Sequence, residues 1–336
     1  MPARIADIEV YLPPRVETNE DLCGVFDRAL VERVGATTGI VARRVCGDGM
    51  TALDMAELAA RPLLERCGNP AVQYLIFCTQ SPDHFLPTGA CILQSRLGLG
   101  EQTAAFDINQ GCSGYIYALD LADALIASGR ADRVLLLTGD TYTRFIHPRD
   151  HASRLVFGDG ASATLVERAE AASGCSLGPF VLRTDGQGAD NLIVPAGGAR
   201  LPRSAETAVE QADAGGSVRS LDNLYMNGRE IFLFATSALP AVIREALAAV
   251  GAGIEDIDWF VPHQANRFVL HQVAARAGIP LDRLVEHYAE VGNTVSTTIP
   301  LALKAYADDG RIRRGQRLLL VGYGVGYSWG ACHAVF

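Results

Sequence analysis

The chain carries an internal echo. The segment Ile76-Phe77-Cys78-Thr79-Gln80 is matched by Phe260-Val261-Pro262-His263-Gln264, which places Thr79 and His263 184 residues apart. Asn109 and Asn293 share that spacing, and so do Cys112 and Ser296. Ser128-Gly129-Arg130 and the run Leu135-Leu136-Leu137-Thr138-Gly139 return as Asp309-Gly310-Arg311 and Leu318-Leu319-Leu320-Val321-Gly322, at offsets of 181 and 183. Phe157-Gly158-Asp159-Gly160-Ala161 and Gly322-Tyr323-Gly324-Val325-Gly326 then hold similar places. Matches in one order at nearly one spacing indicate a duplication, and the period is too long for a solenoid. Two related halves meeting at a pseudo-twofold axis are expected. The first, residues 1–168, carries Cys112; the second, residues 169–336, carries His263 and Asn293.

Each half alternates strand and helix signals. Tyr74–Cys78, Arg133–Thr138, Trp259–Val261 and Arg317–Gly322 are short apolar runs of the kind that form buried strands. Between Cys112 and Gly129 lies a helix-forming stretch with almost no polar face, and Pro300–Asp308 is its counterpart. A helix apolar nearly all round is a buried helix. Buried helices between buried sheets imply a layered α/β fold with helices in the middle. Asp185–Asp222, rich in Gly, Ala, Ser and charge, breaks the pattern and reads as a surface insertion, either a lid or a passive loop.

A net charge of −9 argues against a nucleic-acid partner, because phosphate binding needs a basic surface. No apolar stretch reads as a membrane span of roughly 20 residues, and Met1–Val10 lacks the apolar core of a secretory signal. The eight cysteines form no CxxC pair and sit mostly in apolar surroundings, which suits reduced thiols in a cytoplasmic protein. The histidines are not spaced as metal ligands, so no metal is expected.

Three residues can carry chemistry. Cys112, in Gly111-Cys112-Ser113-Gly114, follows an apolar run and opens a helix. A thiol there meets the positive end of the helix dipole, which favours the nucleophilic thiolate. His263 closes an apolar strand, where α/β folds place ligands. Asn293 follows Gly292, and the duplication puts it opposite Asn109, three residues before Cys112. Symmetric packing of the halves would bring Asn293 to the centre. The Gly-alternating stretch Val321–Gly330 lacks the Lys-Ser/Thr of a phosphate loop; it reads as a strand-to-strand turn whose exposed N–H groups could serve an oxyanion hole.

Taken in order, Gly111-Cys112-Ser113-Gly114, Phe157-Gly158-Asp159-Gly160-Ala161, Pro262-His263-Gln264-Ala265-Asn266, Gly292-Asn293-Thr294 and Tyr323–Gly330 resemble the β-ketoacyl-acyl-carrier-protein synthase III family. Tyr11-Leu12-Pro13, Thr38-Gly39-Ile40 and Phe85-Leu86-Pro87 are similar to it too, so the resemblance spans nearly the whole chain. It implies the thiolase fold, two duplicated halves in a five-layered αβαβα sandwich, a homodimer, and a decarboxylative Claisen condensation. By the same resemblance Cys112 accepts the acyl group, the backbone N–H groups of Cys112 and Val325 hold the oxyanion, and His263 and Asn293 hold the carbonyl of a malonyl-type thioester. Phe85 matches a loop residue that enters the partner's acyl pocket. The implied substrates are acyl carrier protein or coenzyme A thioesters, with no cofactor beyond them.

The chain departs from that family at the substrate entrance. The stretch Val31–Thr37 has no Trp, His151 stands where an Arg is usual, Leu233 replaces a Lys, and a basic residue has moved to Arg267. These changes suggest a specialised relative in secondary-metabolite or lipid synthesis. Two other enzymatic readings use the same fold: acyl transfer to an oxygen or nitrogen acceptor, and condensation without decarboxylation. A silent scaffold subunit fits less well, since Cys112, His263 and Asn293 are all retained.

Overall fold

The computed structural model describes residues 2–170 and 174–336. Its main elements are β1 (Ala3–Tyr11), α1 (Ala52–Arg66), β2 (Tyr74–Cys78), β3 (Ala104–Ile108), α2 (Gly114–Ala127), β4 (Arg133–Asp140) and β5 (Gly160–Arg168), then β6 (Ser176–Thr184), α3 (Gly228–Ala249), β7 (Trp259–Pro262), α4 (Arg267–Ala277), α5 (Thr298–Asp308), β8 (Arg317–Gly324) and β9 (Ser328–Val335).

Two sheets repeat one plan. The first runs β1-β5-β4-β2-β3 and the second β7-β8-β9-β6. Strands β2 and β4 are parallel, as are β7 and β8; β4–β5 and β8–β9 are antiparallel. Where the first sheet adds β3 beside β2, the second has only a single parallel bridge, Phe260 to Leu284. Strand order and direction thus carry the duplication that the sequence displays. The expected pairing of Phe157–Ala161 with Gly322–Gly326 needs correction, however. Gly322 and Gly324 end β8, whose counterpart β4 ends at Thr138–Asp140. The link from β4 to β5 spans residues 141–159, whereas β8 reaches β9 across residues 325–327. The offset drifts there because a long connection in one half is a tight turn in the other.

The strands are apolar on both faces because both faces are covered. Along β2, Ile76 faces the middle layer while Leu75 and Phe77 face the outer one; along β8, Leu318 and Leu320 face inward and Leu319 outward. Tyr115, Ile116 and Leu119 of α2 and Ile299 and Leu303 of α5 form the middle core between the sheets. Met55, Ala59 and Leu63 of α1 cover the first sheet, and Leu239, Ile243, Leu270 and Val273 of α3 and α4 cover the second. This is the αβαβα order the sequence implies. Each fully buried Leu or Ile contributes about 1.5–3 kcal/mol.

The strands run further than the apolar runs suggest. Strand β8 continues to Gly324 because Gly322, Tyr323 and Gly324 still pair with Gly330, Trp329 and Ser328. The expectation that nothing is long enough to span a membrane is also corrected. Helix α3, of 22 residues, is long and apolar enough by length and composition. Its apolar face packs onto the second sheet, so it is a core helix. Asp185–Asp222 is tied down: Glu210 meets His147 at 2.9 Å and also Arg149, and Arg219 meets Asp213 at 2.7 Å and Asp150 at 3.4 Å.

Candidate active site

The middle helices begin at the centre of the molecule, and the functional side chains gather there. Cys112 lies between the end of β3 and the start of α2. Helix α2 starts at Gly114, two residues after Cys112, with Ser113 in the cap position. The Ser113 hydroxyl makes no capping bond; it meets the Ser328 hydroxyl at 2.6 Å. Ser328 also donates to the Val325 carbonyl at 2.9 Å, so the Cys112 turn is fastened to the β8–β9 turn.

Close approach explains two glycines. A Cβ at Gly324 would sit 2.7 Å from Cys112 Cβ and 3.0 Å from Sγ. A Cβ at Gly114 would sit 2.3 Å from Cys78 Sγ. Neither position accepts a side chain without moving the thiol or the helix.

The thiolate expected from the helix position is not the resting state. Cys112 is buried, which pushes its thiol well above the ordinary range, and the nearby Asp140 carboxylate pushes it further. Desolvation of the buried sulfur outweighs the helix dipole there.

His263 is 2% exposed and anchored on both sides. Its backbone N–H donates to Val321 O at 2.7 Å, and its Nδ1 lies 2.7 Å from Thr298 Oγ1 at the start of α5. Burial lowers its pKa to about 3, partly opposed by a backbone hydrogen bond to Val295, so the ring is neutral near pH 7. Asn293 is buried as well. Its backbone bridges to the first half, N–H to Val156 O at 2.9 Å and C=O from Gly158 N–H at 3.0 Å. Its Oδ1 accepts from Val295 N–H at 2.9 Å, which turns Nδ2 toward His263 Nε2, 3.4 Å away. Val295 makes this turn at φ +57°, a left-handed conformation that a β-branched residue rarely adopts. Nothing in the sequence flagged Val295; its position matches Gly111 in the first half.

Cys112, His263, Asn293, Tyr323 and Gly324 line one cavity of about 590 Å³, walled further out by Leu192, Met226, Ile231 and Phe232. Leu192 lies within the Asp185–Asp222 segment and Met226 four residues beyond its end, so the segment itself contributes to the wall. The backbone N–H groups of Cys112 and Val325 have no carbonyl partner among the described residues. A second cavity, of about 920 Å³, lies beyond Val325 and is bordered by Gln80, Asn109, Tyr142 and Leu192.

Sequence reasoning overlooked Asp140. It is fully buried, accepts from Ser296 Oγ at 2.6 Å and from Gln80 N–H at 2.8 Å, and burial raises its pKa to about 7. Ser296 occupies in the second half the place that Cys112 holds in the first. The signal was the repeat itself: β4 (Arg133–Asp140) and β8 (Arg317–Gly324) match end to end at a spacing of 184, one more than the leucine runs suggest, which pairs Asp140 with Gly324.

Phe85 does not join these residues within one chain. It is 89% exposed and its neighbour Leu86 83% exposed, on the loop after β2. At the outer mouth, Phe232 stacks on the half-exposed Phe268 at 5.1 Å, Leu233 is exposed, and Arg267 donates to Ala36 O. His151 Nε2 contacts Gly215 O at 3.0 Å, and the ring lies edge-on to Phe26 at 6.1 Å. Among the described residues no group of His, Cys, Asp and Glu could hold a metal ion.

Comparison with known proteins agrees with this geometry. Residues 106–186 match the family described as 3-oxoacyl-[acyl-carrier-protein (ACP)] synthase III, and residues 247–335 match its C-terminal counterpart. The chain is 38% identical over 325 residues to a β-ketoacyl-[acyl-carrier-protein] synthase III of Sinorhizobium medicae, covering 95% of each. A crystal structure of a 3-oxoacyl-(acyl-carrier-protein) synthase III superposes with a TM-score of 0.97 at 46% identity, over all of both chains. The priming β-ketosynthase of the R1128 polyketide pathway superposes with a TM-score of 0.85 at 28% identity, over 99% of this chain and 95% of its own.

Proposed function

The chain belongs to the 3-oxoacyl-[acyl-carrier-protein] synthase III family, and from that premise we propose that it joins an acyl group, carried on Cys112, to a malonyl-type thioester with loss of carbon dioxide. The observation that carries the reading is the pair of side-chain nitrogens, His263 Nε2 and Asn293 Nδ2, 3.4 Å apart in the buried cavity that holds Cys112.

In the first half-reaction the Cys112 sulfur bonds to the acyl carbon, and the bond from that carbon to the carrier's sulfur breaks. The thiol proton leaves with the carrier. The backbone N–H groups of Cys112 and Val325 stabilise the oxyanion formed on the way. The neutral resting thiol suits this order, because the proton moves only as the leaving sulfur takes up charge.

In the second half-reaction His263 and Asn293 donate to the thioester carbonyl of the extender. Donation from Nε2 requires the tautomer with its proton there, with the Thr298 hydroxyl turned from the Val295 carbonyl, 3.0 Å away, to Nδ1, 2.7 Å away. The bond to the carboxylate breaks, carbon dioxide leaves, and the electron pair remains as an enolate held by the two donors. The enolate carbon bonds to the acyl carbon, the bond to Cys112 breaks, and the sulfur regains a proton from solvent. The product is a β-ketoacyl thioester.

Acyl transfer to oxygen or nitrogen needs a base, and an imidazole held near pKa 3 is a weak one for a hydroxyl or ammonium proton at neutral pH. The condensation reading needs only neutral donors. The substrates are thioesters of acyl carrier protein, coenzyme A, or both. The reading extends to a cytoplasmic homodimer in which Phe85, with Leu86, enters the partner's acyl pocket, and to halves divided at residues 168 and 169.

Intact mass after incubation with a panel of acyl thioesters tests the reading. One acyl adduct on Cys112 is expected, absent in Cys112→Ala. Asn293→Ala should load normally but release carbon dioxide from a malonyl thioester about a hundredfold more slowly, the usual loss for one such donor. If no acyl thioester modifies Cys112, the mechanism is wrong.

A further inference from the structure

One polar group in the catalytic cavity has no task in this scheme. The Tyr323 hydroxyl is buried, the residue being 2% exposed, and finds no hydrogen-bond partner among the described residues. Buried tyrosine hydroxyls ordinarily have one, and leaving such a donor unpaired is costly. The ring stands edge-on to His263, centroids 5.2 Å apart and planes at 80°, and the residue immediately precedes Gly324, which packs against Cys112. On its other side the ring borders an apolar pocket of Pro262, Leu270, Val273 and Leu284, where no acceptor waits. Tyr323 also lines the cavity that holds Cys112, so a substrate bound there can supply the missing partner.

Resting on the condensation reading, the polar groups of the two substrates can be assigned in turn. The acyl oxygen takes the Cys112 and Val325 N–H groups, and the extender's thioester oxygen takes His263 and Asn293. The extender's carboxylate is left. We propose that the Tyr323 hydroxyl donates to that carboxylate, making Tyr323 the residue that recognises a carboxylated extender. The phenol keeps its proton throughout; only the carbon–carbon bond to the carboxylate breaks, and the contact ends as neutral carbon dioxide leaves. Such a bond stabilises the bound extender and not the transition state, in which the carboxylate charge is disappearing. Its loss therefore raises KM and kcat together and leaves kcat/KM nearly unchanged.

The test compares wild type with Tyr323→Phe, which removes one oxygen and keeps the ring. Acyl loading of Cys112 is followed by intact mass, and condensation is measured against malonyl thioester concentration at saturating acyl donor. The expected result is unchanged loading, a KM for the malonyl thioester raised at least about tenfold, as for a lost hydrogen bond to a charged group, and a kcat raised alongside it so that kcat/KM stays close to wild type. A KM within twofold of wild type overturns the inference. So does a fall in loading parallel to the fall in condensation, which would mark the hydroxyl as structural. Failure of the underlying reading looks different: wild type itself would form no adduct or release no carbon dioxide, and both proposals would fall together.

Discussion

At the scale of single residues, burial sets the chemistry more than neighbouring charge does. Cys112, His263 and Asp140 are all buried, and each is pushed toward its neutral form. Asp140 adds a charge that further disfavours the Cys112 thiolate. Asp140→Asn should therefore shift the pH profile of Cys112 alkylation by iodoacetamide toward lower pH, read as adduct mass against time; an unmoved profile would show that the two groups do not communicate. The linkage signs of Asp140 and His263 are opposite. Asp140 is raised, so its contribution to stability is present below the unfolded value of 3.8 and lost as pH rises through about 7. His263 is lowered, so its contribution to stability is present above 6.5 and lost as pH falls toward about 3. That Cys112, His263 and Asn293 meet in one cavity was legible from sequence because their motifs are local and their spacing repeats. Their charge states were not, since burial depends on what arrives from the other half.

At the scale of elements, the strands were legible because double-sided coverage forces continuous apolar runs, and the two central helices because both lack a polar face. What escaped was how tightly elements meet. Residues chosen for absence leave little trace in a sequence: Gly114 reads as a permissive helix start, yet its role is to let α2 pass within reach of Cys78. Gly114→Ala should destabilise the protein by about 1–3 kcal/mol through overpacking, seen as a fall in the denaturant midpoint, and adding Cys78→Ala should restore part of it. An additive double variant would mean that the helix yields elsewhere. The sequence likewise could not show that the β8–β9 link closes in three residues, leaving the Val325 N–H unclaimed, while the equivalent link in the first half needs the whole of 141–159.

At the scale of the molecule, one chain leaves Phe85 and Leu86 in solvent on the loop after β2, and β3 stands at a sheet edge paired only with β2. Sedimentation should therefore show a dimer, and a Phe85→Glu, Leu86→Glu double variant should shift it toward monomer and alter the range of acyl chains loaded; a wild-type monomer would exclude the shared pocket. The duplicated scaffold also sets a stoichiometry. It offers two equivalent seats at the starts of its central helices, but the one at Ser296 is locked by Asp140, whose side chain stands where Gly324 leaves room beside Cys112. On the proposed reading each chain would hold one acyl passenger and never two, a dimer would carry two, and the second half of every chain would contribute donors without ever becoming a carrier itself.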